Sequence, residues 1–296
     1  MMFAICDKFQ AMFSFAIHPA DKQDTPSEIF GRSTYLLLYH NAVLLQSEEL
    51  TVKTTRNYEP GENMLGGFTT NDGTIAFFNR VNAILEPGFT VLDLGAGRAG
   101  WSLLDKCEYR KQLRTIKGKV KEYICADIDE AVLNNQTSDR NLLIRDDRVP
   151  LDDESVDVIV ADYVLEHILD VKTFKGEVSR LLKPGGYLCA RTPHRLHYVS
   201  LFARLIRNQR HTAVLREVQP TRQAEDVFPT SYRLNTLYEA RRLFPDWTDY
   251  SFMHASEPRY YFGSRVAYHL FVLLHAVLPK TFIGNVFIFL RKRSLD

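Results

Sequence analysis

The sequence has few cysteines, and no two of them are spaced to act together. Cys6, Cys107, Cys125 and Cys189 are the four in 296 residues. None forms Cys-x-x-Cys, so neither a zinc cage nor a dithiol redox motif is suggested, and no metal is expected. Cys125 and Cys189 lie in apolar runs, where a free thiol behaves as a small buried hydrophobe. Net charge is also missing. The formal total is +1, which favours neither nucleic acid nor any strongly charged partner. Long hydrophobic runs are absent as well. MMFAICDKFQAMFSFAI at the start is broken by Asp7, Lys8 and Gln10 and lacks the build of a signal peptide. VAYHLFVLLHAVL, residues 266–278, is shorter than the ~18 apolar residues of a membrane span. It contains His269 and His275 and stops at Pro279 and Lys280. A cytoplasmic chain without a transmembrane span is expected. Peripheral membrane contact stays open, because a basic end follows this segment. There is no internal repeat and no low-complexity tract.

What is present is alternation. Residues 1–70 read as an N-terminal extension ending in turn-rich TTRNYEPGENMLGG. From residue 71 the pattern is regular. Asp72 can cap a helix bearing Ile75, Phe78, Val81 and Ile84 on one face. TVLDL is then a first strand, followed by a helix with Trp101, Leu104 and Cys107. EYICAD is a second strand, and Asp129 can cap a helix holding Val132 and Leu133. NLLIR and VDVIVAD are the third and fourth strands. Asp157 reads as a turn or strand-start residue. Asp170 can cap a helix with Val171, Phe174, Val178 and Leu181. GYLCART is the fifth strand. A basic insert spans 195–228, and residues 232–244 read as helical. DYSFMHA is a sixth strand, a helical insert covers 259–279, and NVFIFLRKR is the last strand. Strands separated by helices give right-handed crossovers and a mainly parallel sheet covered on both faces.

VLDLGAGRAGW, residues 91–101, places three glycines between a strand and a helix. Glycine permits a sharp turn and close approach of a ligand to the main chain. In an open α/β sheet this crevice is where ligands bind. GAGRAG also fits G-x-G-x-x-G, the dinucleotide fingerprint. Asp93 separates the two readings. A carboxylate is poor company for a pyrophosphate and good company for a cationic ligand.

Together these motifs resemble the class I S-adenosylmethionine-dependent methyltransferases, with motifs like those of type 11. VLDLGAGRAG is similar to the family's first motif. Asp127, ending the second strand in ICADID, matches the acid used on the ribose hydroxyls. RDDRVPLDDESVDVIVADYVLEHI resembles the segment whose acid meets the adenine amino group, with Asp146 favoured over Asp147. LLKPGGYL resembles the turn before the fifth strand. The resemblance covers residues 72–194. It implies a Rossmann-like, seven-stranded, mostly parallel sheet with helices on both faces, an antiparallel last hairpin and a lid insert. It also implies S-adenosylmethionine as cofactor, held by Asp93, Gly95, Ala96, Gly97, Asp127, Ile128 and Asp146; Asp162, ending the fourth strand at the same crevice, reads either as a cofactor or substrate contact or as plain loop chemistry. One departure is the long gap between Gly95 and Asp127. It includes RKQLRTIKGKVK, read as a solvated loop or helix end.

The candidates beyond the cofactor loop lie in RTPHRLHYVSL. His194 and His197 are candidate general bases for a hydroxyl nucleophile, with hydrogen bonding inside the loop as the alternative. Arg195, Tyr198 and Arg204 are candidate substrate residues. Arg191, Arg195, Arg204, Arg207, Arg210, Arg216 and Arg222 face only Glu217 among acids before Glu225. That bias suits a solvated lid, a clamp for an anionic substrate, or an acidic membrane surface. The expected activity is O-methyl transfer to a small or sugar-like acceptor, anionic or lipid-linked. The competing readings are an NAD(P)-dependent oxidoreductase and a non-catalytic binding module. No nucleic-acid partner is expected.

Overall fold

Asp72 does open the first helix. Its Oδ1 accepts from the amides of Thr74 and Ile75, both at 2.9 Å, two of the donors that a helix start leaves unpaired. The computed structural model describes residues 58–205, 230–259 and 261–294. Of the extension at 1–70, residues 1–57 lie outside them. Residues 58–71 pack as part of the domain, through Tyr58 N–H to the Gly263 carbonyl and Glu257 N–H to the Asn71 carbonyl. Residues 206–229, most of the basic insert, also lie outside.

Helix α1 is Gly73–Ile84 and leads into β1, Thr90–Leu94. The helix expected after the glycine loop is two: α2, Trp101–Leu104, and α3, Glu108–Arg114. Asp105 divides them, accepting from the Cys107 amide and from Arg110. Strand β2 is Glu122–Asp127. Asp129 caps as expected, but over a single 3-10 helix, Glu130–Asn134. Then come β3, Arg140–Leu143, β4, Val156–Asp162, and α4, Val171–Leu181, which Asp170 caps. Asp157 holds its strand start: it accepts from the Thr90 amide and pairs with Lys183. Strand β5 is Leu182–Pro193, followed by α5, Tyr198–Leu205. Helix α6, Leu237–Leu243, is shorter than the expected 232–244. The sixth strand is split into β6, Thr248–Asp249, and β7, Phe252–Ala255. Last come α7, Arg265–Val277, α8, Lys280–Ile283, and β8, Gly284–Arg291.

The strands run β3-β2-β1-β4-β5-β8-β6, with β7 also on β8. The pairings from β3 through β5 are parallel, and those of β8 are antiparallel. Eight segments therefore fill the seven expected positions. Alternation along the strands sends side chains to two cores. Leu92, Ile124, Ile159, Leu188 and Ile288 pack beneath α4 and α6. Val91, Tyr123, Val160, Cys189 and Phe287 pack beneath α1 and α3. Asp93, Asp162 and Arg191 continue the second series to the carboxyl ends of β1, β4 and β5. The same periodicity that fills the core thus places three charges at the mouth of the sheet.

Candidate functional site

The glycine loop is shaped by contacts that exclude a side chain. Gly95 has φ 74°, and a Cβ there would lie 2.4 Å from Val164 Cγ2. Gly97 is also left-handed, at φ 51°. The loop turns its first amides inward. Gly95 and Ala96 N–H donate to the Ala126 carbonyl at 2.7 and 3.3 Å. Gly97 N–H donates to Asp127 Oδ2 at 2.8 Å. The end of β2 therefore holds the first three amides of the loop.

What faces the crevice is Asp93. It is partly exposed, and the Tyr123 hydroxyl donates to its Oδ2 at 2.6 Å. Among the described residues no cation lies within 4.0 Å of it. Burial pushes its carboxyl up to about 7. The Tyr123 hydrogen bond opposes this, and the neighbouring Asp162 charge adds to it. Asp162 has the opposite fate. Arg191 grips both its oxygens, Nη2 to Oδ2 at 2.9 Å and Nε to Oδ1, and Arg114 Nη2 stands 3.5 Å away. Burial acts against ionisation there, but Arg191 outweighs it and holds the carboxyl below the usual range. The cofactor role expected for Asp162 thus meets a carboxylate already engaged by two arginines.

Asp127 is buried at the end of β2. Besides the Gly97 amide, it accepts from Asp129 N–H at 3.0 Å. Each oxygen keeps a lone pair, which suits the donors of a vicinal diol. Ile128 beside it is exposed, an apolar plate at the crevice edge. Asp146 and Asp147 are exposed and both left-handed, at φ 50° and 56°. They form the tip of a two-residue turn between Arg145 and Arg148, whose backbones bond each other. The donor set fits a ligand with a cationic group over Asp93 and a ribose over Asp127.

The histidines depart from expectation. His194 and His197 are both buried. Nδ1 of each accepts a local amide, from Leu196 at 3.2 Å and Val199 at 3.1 Å. Backbone groups at Thr281 and Ile283 favour the charged forms of His194 and His197 respectively. Burial lowers the pKa of both, that of His197 to about 3 with help from Arg259 and His275. A ring whose Nδ1 accepts an amide and whose charged form is disfavoured by burial is a weak base. This geometry favours hydrogen bonding inside the loop over the general-base reading.

The expected substrate residues are likewise engaged. Arg195 Nη1 bonds Glu239 at 3.1 Å. The Tyr198 hydroxyl donates to the Arg259 carbonyl and accepts from its amide, both at 2.9 Å. Arg204 lies on α5, while Arg207, Arg210, Arg216 and Arg222 fall outside the described residues. Arg191 is a buried strand residue and no part of a clamp. Arg114, read as part of a solvated stretch, stacks over Trp101 at 4.7 Å and faces the same charge cluster.

Sequence reading missed a cavity of about 410 Å³, lined in part by Thr69, Asp72, Arg110, Ser256, Glu257 and Arg259. It joins the strand ends through Arg191, which donates to Thr74 Oγ1, and Asn285, which donates to Ser256 Oγ and the Tyr163 hydroxyl. Thr69 Oγ1 donates to Glu257, whose carboxyl burial raises. No cation lies within 4.0 Å of Glu257 among the described residues. The signal available in sequence was Arg191 itself. A charge inside YLCART requires a buried partner.

A protein-family model described as "Methyltransferase domain" matches residues 92–190. A protein of Mycolicibacterium smegmatis, described as a "Probable S-adenosylmethionine-dependent methyltransferase", is 44% identical over 50 residues. That match covers 17% of this chain, and the chain spans only 20% of that relative's length. Among solved structures, the YcgJ protein from Bacillus subtilis is 16% identical, with TM-score 0.44, covering 74% of this chain and 99% of that one. An S-adenosylmethionine-dependent methyltransferase from Aquifex aeolicus is 15% identical, with TM-score 0.41, covering 75% and 94%. The segment from 92 to 190 is thus similar to this methyltransferase-domain family, and it carries the parallel strands β2, β3 and β4 and most of β1 and β5.

Proposed function

We propose that the chain is an enzyme that transfers a methyl group from S-adenosylmethionine to a small acceptor. One observation carries this reading. The glycine loop directs its first amides into the protein and leaves a partly dehydrated carboxylate, Asp93, bonded by Tyr123 but with no cation within 4.0 Å among the described residues, at the crevice. That arrangement repels a pyrophosphate and attracts a cation, which speaks against the NAD(P) alternative. Asp93 takes the ammonium of the methionine moiety. Asp127 takes the ribose hydroxyls, Ile128 covers the base, and Asp146 accepts from its amino group. The cofactor supplies a methyl group already activated on a cationic sulfur. The protein's share is to hold a nucleophile in line and to exclude water. Such positioning can lower a barrier by ~7–11 kcal/mol.

The cavity beside the strand ends is the seat for the acceptor. Its hydroxyl and carboxyl groups, Thr69, Ser256 and Glu257, suit a sugar-like molecule and O-methyl transfer. Glu257, whose carboxyl burial raises against the pull of Arg259 and Arg110, is the candidate to receive the acceptor's hydroxyl proton. The arginine-rich insert supports an anionic or lipid-linked acceptor. The test is transfer of labelled methyl to a panel of neutral, anionic and lipid-linked sugars. Turnover of anionic acceptors, reduced when Arg204, Arg207 and Arg210 are replaced together, supports the reading. Equal turnover by that variant removes the clamp. No transfer to any acceptor, with S-adenosylhomocysteine bound, favours a binding module.

A further inference from the structure

Helix α7, Arg265–Val277, is a surface helix with the wrong outer face. Its inner side is accounted for. Tyr268 is buried against Tyr58 and Tyr261, while Phe271 and His275 pack on Tyr198. A solvated helix carries polar residues opposite such a side. Here Val266, Leu270, Leu273 and Val277, spaced i, i+4, i+7 and i+11, form one ridge and are 45%, 59%, 67% and 77% exposed. Leu274 flanks the ridge, and Phe262 and Phe282 stand exposed beyond its two ends. No candidate membrane span is found among the described residues, so the helix cannot cross a bilayer.

The charges on the ridge's own segment are of one sign, and the nearby acids Glu59 and Glu257 lie toward the helix's inner side, beside Tyr261 and Tyr268. Between Glu257 and Asp296 the sequence contains no acid, whereas Arg265 and Lys280 bracket the helix. Both of these cations are exposed. We propose that this face docks the protein onto an anionic bilayer, with α7 lying in the interface plane. Aliphatic side chains enter the acyl boundary, and Arg265 and Lys280 meet the head groups. Charge decides against a second copy of the chain. A two-fold pairing of this ridge brings Arg265 and Lys280 of one copy against the same cations of the other. An anionic surface satisfies both ends together. The inference does not depend on methyl transfer. If that reading also holds, α7 brings the acceptor cavity near the membrane, since His275 Nδ1 contacts the Ser256 carbonyl in the cavity wall.

The test is co-sedimentation of the full chain with vesicles of phosphatidylcholine alone or with a quarter phosphatidylglycerol. Wild type should bind the anionic vesicles, less at high salt, and bind the neutral ones weakly. Leu270→Glu and Leu273→Glu together should weaken binding at least ~10-fold. Leu169→Glu, an exposed leucine elsewhere, should have no such effect. Calorimetry with S-adenosylhomocysteine and melting temperature report separately on the nucleotide site and the fold. The proposal is overturned if wild type ignores anionic vesicles, or if the double variant binds them equally. It is also overturned if light scattering finds a dimer that the double variant splits, because the ridge then belongs to a second copy.

Discussion

The Tyr123 hydroxyl reaches Asp93 Oδ2 at 2.6 Å across the parallel β1–β2 pair. Tyr123 stands opposite Val91, so Asp93 is its diagonal neighbour on the same face. This hydrogen bond fixes the carboxylate without neutralising it. Asp93→Asn keeps the shape and the Tyr123 donor but removes the charge. Affinity for S-adenosylhomocysteine should fall about 10- to 100-fold, the range for a charge-assisted hydrogen bond. The ligand-free variant should melt no lower than wild type, because it loses a carboxylate that burial disfavours. Calorimetry and thermal unfolding measure the two effects.

Cofactor binding should depend on pH through the same group. The free carboxyl titrates at about 7, and only its ionised form attracts an ammonium. Affinity should therefore level off above neutrality and fall as pH drops below it, by about tenfold per unit. Tyr123→Phe removes the bond that lowers the pKa, so the midpoint should move upward. Titration calorimetry across this range checks both statements. A flat profile contradicts them.

Arg191 and Asp162 are a buried pair one strand apart, paired in register on β5 and β4. Arg191→Met leaves Asp162 facing Asp93 with Arg114 and the weaker influence of Arg259. Breaking a buried pair in this way costs about 3–5 kcal/mol. Adding Asp162→Asn removes the stranded charge and should restore a large part of the loss. Denaturant unfolding of the single and double variants measures it.

His197 should make the fold acid-sensitive. Its folded pKa of about 3 lies below the ordinary 6.5. Between those values the unfolded chain binds a proton that the folded chain refuses. Stability from this group is complete above pH 6.5 and declines as pH falls, by about 2 kcal/mol at pH 5. His197→Gln, which cannot charge, should flatten this slope while leaving S-adenosylhomocysteine binding intact. Urea unfolding at several pH values tests it. If the variant keeps the wild-type slope, His197 is not the buried neutral group assigned here.

The strand series Val91, Tyr123, Val160 and Cys189 and the caps Asp72, Asp129 and Asp170 were legible in the sequence, because periodicity and capping are local. So was the Asp93–glycine loop, whose residues are contiguous. The pairing of Asp162 with Arg191 was not, since 29 residues separate them and only the sheet register brings them together. For the same reason Asp162 was read as a ligand residue and Arg191 as part of a clamp. His194 and His197 looked chemical because they cluster. Both are buried in the fold, where the His194 amide bonds the Gly284 carbonyl, far along the chain. The cavity unites residues 59–74, 106–110 and 256–261, which no spacing rule connects. The split at Asp105 escaped because its cause is a side-chain bond to Arg110.

The most direct measurement is parallel titration of the wild-type protein and Asp93→Asn with S-adenosylhomocysteine and with NADH at pH 8. The account predicts binding of S-adenosylhomocysteine to wild type, at least tenfold weaker in the variant, and no NADH binding to either. NADH binding that strengthens in Asp93→Asn, with S-adenosylhomocysteine ignored, would contradict it.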